Sequence, residues 1–221
     1  MSENTVGERS TYETAFGQDH VRTEDLAKKK SILRGLATYR FSKSDGEPAH
    51  VRGGLFVGSV GAANNLSALN RLHITAVVSL CAEEIARAPS VRYRRVADLP
   101  DTADADLASR LQPLCEFIKE EFEKGGEQQV LVHCYQGKSR SVSIVAAYLI
   151  WAHGLSLTEA LDAIRAVRPR ASPNLGFMVQ LRKWERQCRA EKAEAQHVFK
   201  CAGSGVEVHS DQGPATTGTE A

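Results

Sequence analysis

A cysteine and an arginine stand on either side of five residues in the stretch Val130-Leu131-Val132-His133-Cys134-Tyr135-Gln136-Gly137-Lys138-Ser139-Arg140-Ser141. That spacing suits phosphoryl chemistry. A loop wrapped at a helix N-terminus aims several backbone N–H groups into one cup, and the helix dipole adds positive charge there. Gly137 permits a backbone angle that a side chain would block. The guanidinium of Arg140 is a planar fork able to hold two phosphate oxygens. The same field favours a thiolate, the nucleophilic form, at the floor of the cup, where Cys134 sits.

The elements that position such a loop are legible on both sides of it. Gln129 to Val132 is apolar and β-prone. Val142 to Ile150 is apolar around its whole circumference, which predicts a helix buried in the core. Gly137-Lys138-Ser139 imitates the end of a nucleotide-binding loop. That motif needs a glycine five positions earlier, where Val132 stands, so the nucleotide reading fails. A buried structural cysteine is the usual bland reading of a lone thiol. It leaves the glycine and arginine in register with Cys134 unexplained.

His-Cys-x-x-Gly-x-x-Arg-Ser resembles the signature of the cysteine-dependent protein phosphatases. The Ser139-Arg140-Ser141 ending, followed by Ala147-Tyr148-Leu149-Ile150, resembles the dual-specificity branch. Gly54-Leu55-Phe56-Val57-Gly58-Ser59, Ile74-Thr75-Ala76-Val77-Val78-Ser79-Leu80 and Pro173-Asn174-x-Gly176-Phe177-x-x-Gln180-Leu181 are similar to other stretches of that family. The resemblance covers roughly residues 50–187. It implies an α/β domain with a mainly parallel central sheet flanked by helices, no metal and no other cofactor.

The roles the resemblance implies are these. Cys134 attacks phosphorus. The loop residues Tyr135, Gln136, Gly137, Lys138, Ser139 and Arg140 cradle the phosphate. Ser141 assists departure of the sulfur, and His133 props the loop. A general acid is needed for the leaving oxygen. In the family it precedes an acidic or amide residue by five positions, followed by an aliphatic, and Asp101 with Asp106 and Leu107 fits. Asp98 is the alternative, with a poorer register. The absence of a second lysine near Tyr135 argues against a lipid phosphatase. A phosphoinositide or other non-protein phosphomonoesterase, or a phosphoprotein-binding module, remain the other functions. Leu80-Cys81-Ala82-Glu83 resembles a stretch of a lipid phosphatase relative in which a cysteine forms a reversible disulfide with the nucleophile. The resemblance thus implies a Cys81–Cys134 bond under peroxide.

Composition sets the context. The chain has 221 residues and a formal net charge of +1, with basic residues dispersed, which excludes an electrostatic case for nucleic acid. Its 5 cysteines lack paired spacing, so neither a disulfide framework nor a zinc site is expected. Residues 1–20 lack the apolar core of a signal peptide, and no apolar run reaches membrane-span length. An intracellular monomer, cytoplasmic or nuclear, acting on phosphoproteins with a kinase among its partners, is the expectation.

Three stretches follow along the chain. Residues 1–45 read as a largely disordered extension with an amphipathic helix in Val21 to Tyr39, beside Lys28-Lys29-Lys30, more simply packed on the domain than docked to a kinase. Residues 48–190 read as the catalytic domain, and 191–221 as a disordered tail. Within the domain, Asn64 or Asn65 caps a helix carrying Leu66, Leu69 and Leu72. Strands are predicted at Ile74 to Leu80 and Val91 to Val96. Leu107, Leu111, Leu114, Ile118 and Phe122 predict a helix ended by Gly125-Gly126, with Asp104 and Asp106 in its first turn. Ser156-Leu157-Thr158-Glu159 is a capping box opening a helix with Leu157, Leu161, Ile164 and Val167 on one face. Arg168 and Arg170 read as a solvated pair. The last helix starts near Pro173, anchored by Phe177, Leu181 and Trp184.

Overall fold

The computed structural model describes residues 45–203, so the predicted helix of Val21 to Tyr39 lies outside the described residues. Five strands form one sheet: β1 (Ala49–Arg52), β2 (Leu55–Gly58), β3 (Ala76–Ser79), β4 (Arg92–Arg95) and β5 (Val130–His133). Their order is β1-β2-β5-β3-β4, with β1 antiparallel to β2 and every other pairing parallel. β2, β3 and β5 are buried at every position, which is why each reads as an unbroken apolar run rather than an alternation. β4, at the sheet edge, reads Arg-Tyr-Arg-Arg and is largely exposed.

The described residues fall into two compact units. The first, 45–98 with 128–137, holds the whole sheet with the short helices α1 (Val60–Asn64) and α2 (Leu66–Arg71). Asn65 caps α2, its Oδ1 accepting from Ala68 N–H at 3.1 Å. Phe56, Ala63, Leu69, Ile74, Val77 and Leu131 form its apolar core.

The second unit, 99–127 with 138–203, is helical: α3 (Ala108–Glu123), α4 (Arg140–His153), α5 (Leu157–Val167) and α6 (Leu175–Gly203). α4 is buried without interruption from Ser141 to Ile150, and α3, α5 and α6 pack on it. Each aliphatic side chain so enclosed contributes about 1.5–3 kcal/mol. Gly154 ends α4 in the left-handed conformation at φ 70°, and its N–H returns to Ile150 O. The capping box of α5 forms as predicted, with Ser156 and Glu159 bonded reciprocally. Phe177, Leu181 and Trp184 anchor α6, and Trp184 Nε1 donates to Ala147 O at 3.1 Å.

Several expectations are corrected. α3 begins at Ala108, so Asp106 precedes it and accepts from Ser109 N–H at 3.1 Å instead of lying in the first turn. Val167 points outward, 43% exposed, because α5 buries only Leu157, Ala160, Leu161 and Ile164. Arg168 is not solvated but 5% exposed, at the C-cap of α5. The tail expected from 191 is helical as far as Gly203, as α6 continues. Among the described residues, no helix is long and apolar enough to cross a membrane.

Candidate active site

β5 leads directly into Cys134. It pairs with β2 on one side and β3 on the other, with Gly58, His133 and Ser79 in register at the carboxyl ends. Ligands of open α/β sheets bind beyond such ends. Cys134 follows directly and is 1% exposed. Its N–H reaches Gly58 O at 3.4 Å, and Leu80 N–H donates to His133 O at 2.9 Å, so both neighbouring strands fix the strand exit. The chain then turns back on the sulfur: Gly137, at φ 64°, aims its N–H at Cys134 Sγ, 3.2 Å away. That conformation is costly for any residue with a Cβ, which explains the glycine. Tyr135 O accepts from Val60 N–H at 3.2 Å, tying the loop to α1. Ser59 caps that helix, accepting from Gly61 and Ala62 N–H. Tyr135 is half-buried and Gln136 exposed.

The remaining loop residues belong to the second unit. Lys138 is exposed, and its carbonyl accepts from Ser172 N–H at 2.8 Å. Ser139 is buried, and its hydroxyl donates to Asp101 Oδ1 at 2.6 Å while accepting from Asn174 N–H at 3.1 Å. Asn174 Nδ2 donates to the same Oδ1 at 2.9 Å and to Thr102 O at 3.2 Å. Arg140 opens α4. Its Nε lies 3.7 Å from Asp101 Oδ2, and Nη1 donates to Leu99 O at 3.4 Å. Asp101, Ser139, Arg140 and Asn174 therefore form one polar cluster. Ser141 is fully buried in the first turn of α4.

Asn174 and Gln180 were not among the sequence candidates. Both stand in the Pro-Asn-x-Gly-Phe-x-x-Gln-Leu stretch, which resembles the family and marks the start of the last helix but assigns neither residue a role. Gln180 Oε1 accepts from Leu107 and Ala108 N–H at 2.9 and 2.8 Å, and its Nε2 donates to Ala105 O at 2.9 Å. Asp104 and Asp106 are fully exposed. The Thr102 side chain holds the first below the usual carboxylate range, and the Ser109 side chain does so for the second.

Cys115 and Cys188 mark a chemical contrast. Burial raises both thiols, Cys188 to about 11 and Cys115 further. Because the thiolate is the reactive form, native protein treated with iodoacetamide at pH 7 is expected to keep Cys115 and Cys188 unmodified, with alkylation only after denaturation. Peptide mapping that finds either modified as fast as Cys134 would refute this.

Comparison with known proteins agrees with this architecture. The family model for the catalytic domain of dual specificity phosphatases matches residues 55–187, inside the 48–190 expected from sequence. Dual specificity protein phosphatase 1 of Arabidopsis thaliana is 36% identical over 157 residues, covering 71% of this chain and 78% of the plant protein. Dual specificity phosphatase 28 of Mus musculus is 38% identical over 144 residues, 65% of this chain and 86% of the mouse protein. A crystal structure of a mouse dual specificity phosphatase complexed with zinc tungstate superposes with a TM-score of 0.63 at 36% identity, over 66% of this chain and 91% of that one. A family match across more than half of the chain, joined to an α/β fold with a cysteine at the end of a central strand, shows that the chain belongs to the dual specificity protein phosphatases, a family of cysteine-dependent protein phosphatases.

Proposed function

We propose that Cys134 is the nucleophile with which this phosphatase hydrolyses phosphotyrosine and phosphoserine or phosphothreonine in proteins, through a phosphocysteine intermediate and without a metal. The observation that carries the reading is the Gly137 N–H aimed at a buried Cys134 sulfur. A loop amide so directed stabilises negative charge on sulfur and becomes a donor to phosphate oxygens in the same cup.

In the first step, the Cys134 thiolate forms a bond to phosphorus in line with the departing tyrosine, serine or threonine oxygen, and the P–O bond breaks. The amides of residues 135–140 and the Arg140 guanidinium take the charge of the equatorial oxygens, which is spread in a loose transition state. Asp101 gives its proton to the leaving oxygen. Its Oδ1 accepts from Ser139 and Asn174, and its Oδ2 lies 3.7 Å from Arg140 Nε, on the side where the phosphate would be held. In the second step, Asp101 takes a proton from water, the water oxygen bonds to phosphorus, and the S–P bond breaks. We assign Ser141 the hydroxyl that steadies the departing sulfur. A thiolate nucleophile needs a reducing compartment, so the proposal carries an intracellular location, cytoplasmic or nuclear. A monomer acting on phosphoproteins, kinases among them, completes the reading.

The test is turnover of a phosphotyrosine peptide, a phosphothreonine peptide and a phosphoinositide, each with a chelator present. Both peptides are expected to be hydrolysed, with no loss to the chelator. A strong preference for the phosphoinositide would make the chain a lipid phosphatase. Tight phosphopeptide binding with no turnover would make it a binding module.

A further inference from the structure

We infer that Gly176 and Gln180 are positioning residues for the general acid: one side of α6 is a fixed seat for the acid-bearing loop 101–107. The inference rests on the reading of Asp101 as the acid. The buried face of α6 carries Phe177, Leu181, Trp184 and Cys188. Gly176 and Gln180 stand one helical turn apart on an adjoining stripe, and both meet the loop through its backbone.

Gly176 makes the closest approach. A Cβ added there would overlap the Ala103 carbonyl oxygen and lie 2.7 Å from Ala103 Cα, a separation that only displacement of the loop could relieve. Gln180 fixes the loop's other end. The helix that follows the loop, α3, has no side-chain cap of its own at Leu107. Gln180 supplies one across the chain, accepting from Leu107 and Ala108 N–H and donating to Ala105 O. An amide suits this place because it accepts and donates from one planar group. Asn174 completes the row at Thr102 O.

The loop backbone is therefore held at Thr102, Ala103, Ala105, Leu107 and Ala108, while the side chains of 102–104 and 106 are exposed. Its own buried side chains, Ala105 and Leu107, anchor one end, and the residues at the start of α6 fix the course of the backbone between them and Asp101. The acid is seated before substrate arrives, and its reach depends on Gly176 and Gln180. A shift of 1 Å in a catalytic group can cost about 10²-fold in rate.

A cap that served only stability would slow every substrate alike. A general acid matters most when the leaving oxygen is basic, as in tyrosine with its pKa of about 10. An activated aryl ester, whose phenolate departs unaided, needs the proton least. The experiment compares kcat/KM, which reports the first step alone, for a phosphotyrosine peptide and for 4-nitrophenyl phosphate. Asp101→Asn is expected to slow the peptide about 10²–10⁴-fold and the activated ester much less. Gly176→Ala and Gln180→Leu are expected to repeat that selectivity at about 10–10²-fold on the peptide. Gln180→Glu, which keeps both accepting bonds, is expected to restore part of the ratio. The ratio of two turnovers in one preparation does not depend on the fraction folded, so a destabilised variant still reports. If Asp101→Asn is selective but Gly176→Ala and Gln180→Leu slow both substrates equally, or neither, the seat plays no part in catalysis and the inference is wrong. If Asp101→Asn itself shows no selectivity, the assignment of the acid fails first.

Discussion

Cys134→Ser is expected to remove turnover of every phosphate monoester while leaving phosphopeptide binding intact. The serine hydroxyl is of similar shape but is not ionised near neutral pH, so the attack on phosphorus loses its nucleophile. Loss of a covalent nucleophile elsewhere costs on the order of 10⁶ in kcat, and a comparable fall is expected here. The groups proposed to hold phosphate remain: the Gly137 amide, kept by a left-handed backbone that does not depend on sulfur, and the Arg140 guanidinium. Binding should even tighten slightly, because a phosphate dianion no longer meets a thiolate. Rapid-quench kinetics on the wild type should show a phosphorylated protein that is absent from the variant, and calorimetry should show retained affinity. A variant that turns over within tenfold of wild type would remove Cys134 from the mechanism.

What sequence could and could not show follows from how far apart the bonded residues stand. The strand at 130–133 and the helix from Arg140 were legible because a continuous apolar run meets a glycine-containing loop within a few residues. The capping box at Ser156 is equally local. α1 was missed because Gly61, Ala62 and Ala63 give no apolar periodicity to follow the capping serine, Ser59. The continuation of α6 was missed for a related reason. Ala190-Glu191-Lys192-Ala193-Glu194-Ala195-Gln196 carries no apolar side chain larger than alanine, the composition of a solvated tail. Spaced pairs such as Arg189 with Glu185 and Gln187 with Glu191 support a helix there instead.

The seat of loop 101–107 was out of reach altogether. Asn174 and Gln180 bond to residues 73 and 75 positions away, and no local pattern announces that pairing. The register of Asp101 came from a family motif. Its fixed orientation comes from Ser139, Asn174 and Arg140.

Arg140→Lys is expected to fall short of wild type by about 10³-fold in kcat/KM, and Arg140→Ala by as much or more, in the range found when a transition-state arginine is lost. Lysine keeps the charge, so the size of its defect measures geometry. The guanidinium is oriented in the second unit by Leu99 O on Nη1 and by the Asp101 carboxylate beside Nε, and its side chain is 15% exposed. Two edges of one rigid plane are thus oriented before substrate arrives. An ammonium on a flexible stem offers no plane to orient and no paired donors. Equatorial charge is common to all phosphate monoesters, so this loss should appear on 4-nitrophenyl phosphate as fully as on the phosphotyrosine peptide. That pattern separates Arg140 from Asp101, Gly176 and Gln180, whose losses should grow with the basicity of the leaving oxygen. A Lys variant that retains more than a tenth of wild-type kcat/KM would show that charge alone suffices and that the planar fork is dispensable.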